Sequence, residues 1–62
     1  MEDATYQIIV NDKGVHIFLC NKYIKTVTTN LFRRVTGYKI FTGHSFHMSK
    51  EILDGKLAQC NN

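Results

Sequence analysis

The side chains of this chain that offer binding chemistry are cationic and aromatic, and most lie in its middle. No aspartate or glutamate falls within residues 13–50. The same span contains these basic residues and histidines: Lys13, Lys22, Lys25, Arg33, Arg34, Lys39 and Lys50, with His16, His44 and His47. A basic segment without acids is typical of a surface that binds a polyanion, although solvated lysines on separate faces produce the same pattern.

Aromatic rings interleaved with these cations indicate nucleic acid as the partner. Rings stack on bases, arginine and lysine bind phosphates, and a narrow β-ribbon can enter the major groove of DNA. The candidate nucleic-acid-binding residues are Lys22, Tyr23, Lys25, Arg33, Arg34 and Lys39. We therefore expect a small nucleic-acid-binding accessory or regulatory protein. The sequence favours DNA over RNA as its partner but does not decide between them.

The alternative is a protein-interaction module or inhibitor of the compact kind that phages and mobile elements encode. It would act through an apolar sheet face carrying Ile9, Phe18, Tyr23 and Val27, which is less polar than a solvated sheet surface normally is. Such a face would also suit a homodimer. Affinity for nucleic acid falls steeply with salt, whereas an apolar protein contact hardly changes, so salt dependence separates the two hypotheses.

Metal binding and catalysis find little support in the sequence. Cys20, His44, His47 and Cys60 form a weak candidate zinc set, because structural zinc sites usually take their cysteines in close pairs and these two cysteines stand alone. The chain also lacks a paired-carboxylate motif, a phosphate-binding glycine loop and a nucleophile elbow. We expect neither a cofactor nor an enzyme.

A three-stranded antiparallel ribbon from Tyr6 to Thr28 must position these residues. Folding the chain at Asn11–Gly14 aligns the apolar residues of the first two strands, and a second turn at Asn21–Lys22 would continue the register. The expected cross-strand pairs are Tyr6/Leu19, Ile8/Ile17, Val10/Val15, Leu19/Ile24, Ile17/Thr26 and Val15/Thr28. The opposite face would then carry Gln7, Ile9, His16, Phe18, Cys20, Tyr23, Lys25 and Val27.

The second half of the chain predicts two helices. A short helix over Asn30–Thr36 would dock Leu31, Phe32 and Val35 on the ribbon and turn Arg33 and Arg34 away, with Gly37 ending it. Residues 38–41 predict either a fourth strand or an extended connector, and residues 42–48 have no assignment. Ser49 would cap a last helix whose inward residues are Ile52, Leu53, Leu57 and Cys60. The sequence leaves open whether the helices cover one face of the ribbon or both.

Length and composition favour one small α+β domain over residues 1–62. The chain is 44% hydrophobic and 21% charged, which is typical of a globular protein, and 62 residues lie near the lower limit for independent folding. No apolar run approaches the roughly 20 residues of a spanning helix, and the acidic start does not resemble a secretory signal. We expect a cytoplasmic protein without a membrane partner.

Overall fold

The structure is a computed structural model that describes residues 4–59. It is an α+β fold in which a four-stranded antiparallel sheet of order β3-β2-β1-β4 carries two helices. The elements are β1 (Thr5–Asn11), β2 (Gly14–Leu19), β3 (Lys22–Val27), α1 (Thr29–Thr36), β4 (Ser45–Ser49) and α2 (Lys50–Gln59). The predicted α+β class is confirmed. The fourth strand is formed by residues for which the sequence gives no assignment, whereas residues 38–41 form a connector.

The first hairpin has the predicted register. Tyr6 pairs with Leu19, Ile8 with Ile17 and Val10 with Val15, so their side chains share one face of the sheet. Strand β4 extends this face by pairing antiparallel with the other side of β1. A one-residue slip of either strand would turn these apolar side chains to the opposite face, so their alternation specifies which residues face the core.

The predicted register of β2 and β3 is wrong. The chain turns at Cys20 and Asn21, both with positive φ (52° and 63°), as a tight two-residue hairpin requires. Phe18 therefore pairs with Tyr23 and Ile17 with Lys25, which leaves Ile24 as a bulge. The earlier turn and the bulge move Lys25 and Val27 to the face of Ile17 and Val15, whereas Tyr23 stays on the opposite face, as predicted.

Both helices pack on the same face of the sheet. The buried core joins that face to one residue of each helix and one residue of the connector: Tyr6, Ile8, Val10, Val15, Ile17, Met48, Phe32, Leu53 and Ile40. The opposite face, which we call the open face, receives neither helix. The sequence does not decide this choice, because its apolar residues populate both faces of the ribbon.

Helix α1 begins after a capping threonine and ends at a glycine, as the sequence predicts. The Thr28 hydroxyl accepts a hydrogen bond from the Leu31 N–H, and Gly37 adopts a left-handed conformation with φ of 75°. Phe32 is fully buried, and Leu31 and Val35 are half-buried. The predicted docking of Phe32 is therefore confirmed, whereas Leu31 and Val35 are only partly buried and do not join the core. A helix of about two turns takes its stability from such packing.

Helix α2 buries a narrower stripe than predicted. Leu53 is fully buried and Leu57 packs against the core, but Ile52 is 53% exposed. Leu53 and Leu57 are four residues apart and share one helix face, whereas Ile52 lies about 100° around the helix from Leu53. The predicted inward position of Ile52 is wrong, and that of Cys60 lies outside the described residues.

A polar cluster ties α2 to β1. The Tyr6 hydroxyl donates a hydrogen bond of 2.8 Å to one carboxylate oxygen of Asp54, and the Lys50 ammonium donates one of 2.7 Å to the other. The hydrogen bond from Lys50 is the main cause that lowers the pKa of the Asp54 carboxyl. Burial, followed by the hydrogen bond to Asp54, raises the pKa of the Tyr6 hydroxyl, which therefore remains a donor at neutral pH.

This cluster predicts a specific acid sensitivity. The pKa of Asp54 is lower in the folded chain than in the unfolded chain. The ionised Asp54 carboxylate therefore stabilises the fold above the unfolded pKa of about 3.9, and this stabilisation is lost as the pH falls through the folded pKa. Asp54→Asn should therefore reduce the slope of unfolding free energy against pH below about pH 4. Urea titrations at several pH values measure that slope, with Glu51→Gln as the charge-matched control. An unchanged slope in Asp54→Asn would contradict the assignment.

Gly14 begins β2 where no other residue fits. Its φ is +132°, and a Cβ atom there would lie 2.9 Å from the carbonyl oxygen of Val27 on β3. Gly14→Ala should cost about 1 to 3 kcal/mol of unfolding free energy, because it combines backbone strain with that contact. Gly55→Ala is the control, because a methyl group on the helical Gly55 would meet no atom within 4 Å, and it should add up to about 1 kcal/mol. Urea denaturation that ranks the two variants in the reverse order would contradict this account.

Candidate nucleic-acid interface

The predicted nucleic-acid-binding residues do not form one surface. Tyr23 points to the open face, whereas Lys22 and Lys25 pair with Leu19 and Ile17 on the helix side. Lys50 is the main cause that lowers the pKa of the Asp54 carboxyl, and the charge of Lys25 lowers it slightly further. This effect is consistent with Lys25 lying on the helix side of the sheet. The prediction that Tyr23 and Lys25 share a face is wrong, because the bulge at Ile24 reverses the alternation between them.

The two arginines of α1 have different environments. Arg33 does not simply extend into solvent, since its Nη2 donates a hydrogen bond of 2.7 Å to the carbonyl oxygen of Ile40. That bond fastens the connector between α1 and β4 to the helix, and it holds Ile40 in the core. Arg34 is exposed in the last turn of α1 and is available to a ligand.

This difference can be tested with two matched variants. Arg33→Met should lower the unfolding free energy by about 1 to 2 kcal/mol, because the Ile40 carbonyl loses a charged donor. Arg34→Met removes the same charge, but its effect on stability should stay within about 0.5 kcal/mol. Thermal or urea unfolding of the pair measures the difference. Equal stabilities would show that the hydrogen bond to Ile40 does not hold the connector.

Four aromatic rings lie together where the connector meets β4. This aromatic patch consists of Tyr38, Phe41, His44 and Phe46. Ring centroids are 6.1 Å apart for Tyr38 and Phe46, 6.4 Å for His44 and Phe46, and 5.3 Å for Phe41 and His44. Tyr38 and Phe46 also pack edge-on against the buried Phe32. The patch is therefore anchored to the core while it faces outward.

The outward rings are well exposed. Tyr38 is 46% accessible and Phe41 is 59% accessible, so each presents ring surface to solvent. Tyr38 borders an open depression of about 420 Å³, which is lined by Tyr38, Lys39, Ile40, His44, Ser45 and Phe46. This volume lies within the usual range for sites that accept a small organic group. Its lining combines apolar rings with a lysine, which suits a flat aromatic group that carries negative charge.

A small turn orients His44 within the patch. The Phe41 N–H donates to His44 Nδ1 at 3.3 Å, and the His44 N–H donates to the Phe41 carbonyl oxygen at 3.0 Å. Because Nδ1 accepts a hydrogen bond, the proton of a neutral ring resides on Nε2. His44 can therefore donate one hydrogen bond from Nε2 to a ligand.

The open face has a different chemistry. Tyr23 and Phe18 meet edge to face with ring centroids 5.7 Å apart. The Tyr23 hydroxyl and Thr26 Oγ1 are 2.8 Å apart, Thr26 Oγ1 lies 2.9 Å from His16 Nδ1, and His16 Nε2 lies 2.8 Å from Asn11 Oδ1. Ile9 shares this face, since it pairs with His16. Of the alternative interface residues, Val27 lies on the helix side instead, because of the shifted β3 register.

The candidate metal ligands are dispersed. Cys20 is exposed in the turn between β2 and β3, His44 lies in the connector, and His47 lies on β4 opposite Gln7. Residues 4–59 contain no group of three or more His, Cys, Asp or Glu side chains that could hold a metal ion. Cys60 lies outside that range.

Sequence reasoning selects Lys39 but misses the aromatic patch around it. It assigns Tyr38 and Phe41 only to a strand or a connector, and it considers His44 only as a metal ligand. A usable signal is present, because Gly37 and Gly43 bound a short segment that contains two aromatic residues, Tyr38 and Phe41. Aromatic residues in a glycine-bounded connector are exposed more readily than those in a strand, because loops run over the surface.

No helix in the described part of the chain has the length and apolar character needed to cross a bilayer. Comparison with family models gives no match, and neither a curated protein nor a solved structure matches the chain.

Proposed function

We propose that this protein binds single-stranded nucleic acid, with DNA as the expected partner, through the aromatic patch and the cations beside it. The observation that carries the proposal is the exposure of Tyr38 in a depression that Lys39 also lines, with the exposed Phe41 in ring contact with His44 of the same lining. Aromatic side chains bind single strands by stacking on bases, and this interaction tolerates any sequence. Sequence-independent binding would suit an accessory or regulatory role.

The charges near the patch support a nucleic acid rather than an apolar ligand. Arg34 lies in the last turn of α1, four residues before Tyr38, and Lys39 follows Tyr38 directly. No carboxylate occurs between residues 13 and 50, so the whole connector is free of acidic side chains. A phosphate that approaches these rings would therefore meet two cations and no acid in the same segment.

The shape of the site favours unpaired bases over a duplex. In a duplex the base faces are stacked on one another and are closed to side chains, whereas a single strand exposes them. The patch offers exposed ring surface and an open depression. The described helices are too short to present a long recognition surface. His44 Nε2 adds a hydrogen-bond donor for a base edge.

Fluorescence anisotropy with a labelled thymidine oligonucleotide of about 15 residues tests the proposal. We expect a dissociation constant tighter than about 0.1 mM at low salt, because weaker binding would fall outside even the ordinary non-specific range. Two or three phosphate contacts should give a slope of about −1.4 to −2.1 for log affinity against log salt. A matched duplex should bind more weakly. Absence of binding at low salt would overturn the proposal.

A further inference from the structure

The open face of the sheet is uncharged. Its side chains alternate with the buried ones along β1, β2 and β4, and the bulge in β3 interrupts the alternation there. The open face includes no lysine, arginine, aspartate or glutamate from these four strands. One row across the sheet contains His47, Gln7, Phe18 and Tyr23 in neighbouring strands. Phe18 and Gln7 are only partly buried by their neighbours. A sheet face that presents Ile9, Phe18 and Tyr23 among uncharged polar side chains resembles the centre of a protein interface more than a solvated sheet face rich in charge.

The polar groups on this face can pair with a second copy of themselves. Amide, imidazole and hydroxyl groups each donate and accept hydrogen bonds, whereas lysine and arginine only donate and carboxylates only accept. Gln7 lies between Phe18 and His47, near the centre of the face. A two-fold interface brings the same patch of both subunits together, so self-complementarity of this kind is what a dimer needs.

We propose that the open face binds the open face of a second copy of this chain, as two sheets stacked face to face. The chain has a formal net charge of +3, and Lys22 and Lys25 lie on the helix side. Two copies that met through their helix sides would oppose these cations, whereas pairing through the open faces keeps them apart. The aromatic patch and its cations are not part of this surface, so the inference is independent of the proposed function.

The size of the face predicts a weak, reversible dimer. Four strands about 4.8 Å apart, with about six residues at about 3.3 Å each, cover roughly 400 Å² per copy, or roughly 800 Å² for the pair. Interfaces below about 1,200 Å² are usually transient. Stacked sheets would shelter Ile9, Phe18 and Tyr23 from water and so add buried apolar surface to a domain that is small for independent folding.

Sedimentation equilibrium of the full chain measures this self-association. The concentration should run from about 10 to about 500 µM, the range in which transient interfaces associate. We expect the weight-average mass to rise from 7.2 kDa toward twice that value. Gln7→Glu places a negative charge at the centre of the face with almost no change in side-chain shape. In a two-fold dimer each copy contributes one such charge, so the two carboxylates repel each other. This variant should weaken the dimer at least tenfold, and Phe18→Glu should do the same.

Ile52→Glu is the matched control, because it also replaces a neutral residue with an acid but lies exposed on α2, on the helix side. It should leave the dimer unchanged. Circular dichroism melting checks that each variant is folded. If Phe18→Glu unfolds, Gln7→Glu still tests the dimer, because the Gln7→Glu change removes no apolar group. A constant mass of 7.2 kDa, or a dimer that survives Gln7→Glu, would overturn the inference.

Discussion

Phe32→Ala is expected to lower the free energy of unfolding by about 3 to 5 kcal/mol, which is the usual cost of removing a fully buried aromatic ring. Phe32 is completely inaccessible and is the largest fully buried side chain. It joins α1 to the sheet and supports Tyr38 and Phe46 from below. A 62-residue domain typically has about 3 to 9 kcal/mol of stability in total, so this variant should be close to unfolded.

Urea denaturation followed by circular dichroism measures this loss, and Ile52→Ala supplies the control. Ile52 is also a large apolar residue on a helix, but more than half of its surface is exposed, so its truncation should cost less than about 1 kcal/mol. If Phe32→Ala melted like the parent, α1 would not be docked on the sheet as described. The conclusion that Phe32 supports the aromatic patch would then be wrong as well.

Phe41→Ala is expected to weaken binding of a single-stranded oligonucleotide by about 1 to 3 kcal/mol, or roughly 5- to 150-fold, if one base stacks on this ring. Among residues 4–59, Phe41 is the most exposed large apolar residue, and its ring meets that of His44. Its removal should therefore leave the core intact. Tyr38→Ala should weaken binding further, but it also removes contacts with Phe32 and Phe46.

Phe18→Ala is the matched control for Phe41→Ala. Both variants remove a phenyl ring that is accessible to solvent, but Phe18 lies on the open face and away from the patch. Anisotropy titrations under identical salt should show a loss of affinity for Phe41→Ala alone. Equal losses in both variants would show that neither surface is specific, and a loss in Phe18→Ala alone would move the site to the open face.

Much of the fold could be predicted from residues whose chemistry acts locally. Alternating apolar residues in β1 and β2 determine their register, Thr28 and Gly37 bound α1, and Ser49 precedes α2. The register of β3 was beyond such reasoning, because it depends on Cys20 and Asn21 adopting positive φ. Neither residue indicates a turn as strongly as glycine would, although asparagine enters this conformation more readily than most others.

The candidate site was less predictable, because it depends on distant parts of the chain. The sequence around Arg33 predicts an exposed helix residue. In the fold the connector passes back beside Arg33, and the Ile40 carbonyl oxygen accepts a hydrogen bond from it. Phe46 meets Tyr38 only because β4 pairs with β1 at the sheet edge. Composition indicated aromatic and cationic chemistry in this half of the chain, whereas the tertiary fold decides which rings gather and which lysine lies beside them.

The most direct test of the proposed function is an NMR titration of the ¹⁵N-labelled protein with a short thymidine oligonucleotide at low salt. We expect the largest amide shifts between Tyr38 and Phe46 and at the C-terminal end of α1, with small shifts on the open face at Gln7 and Phe18. A spectrum that does not change at millimolar oligonucleotide, or shifts confined to the open face, would contradict the assignment of nucleic-acid binding to the aromatic patch.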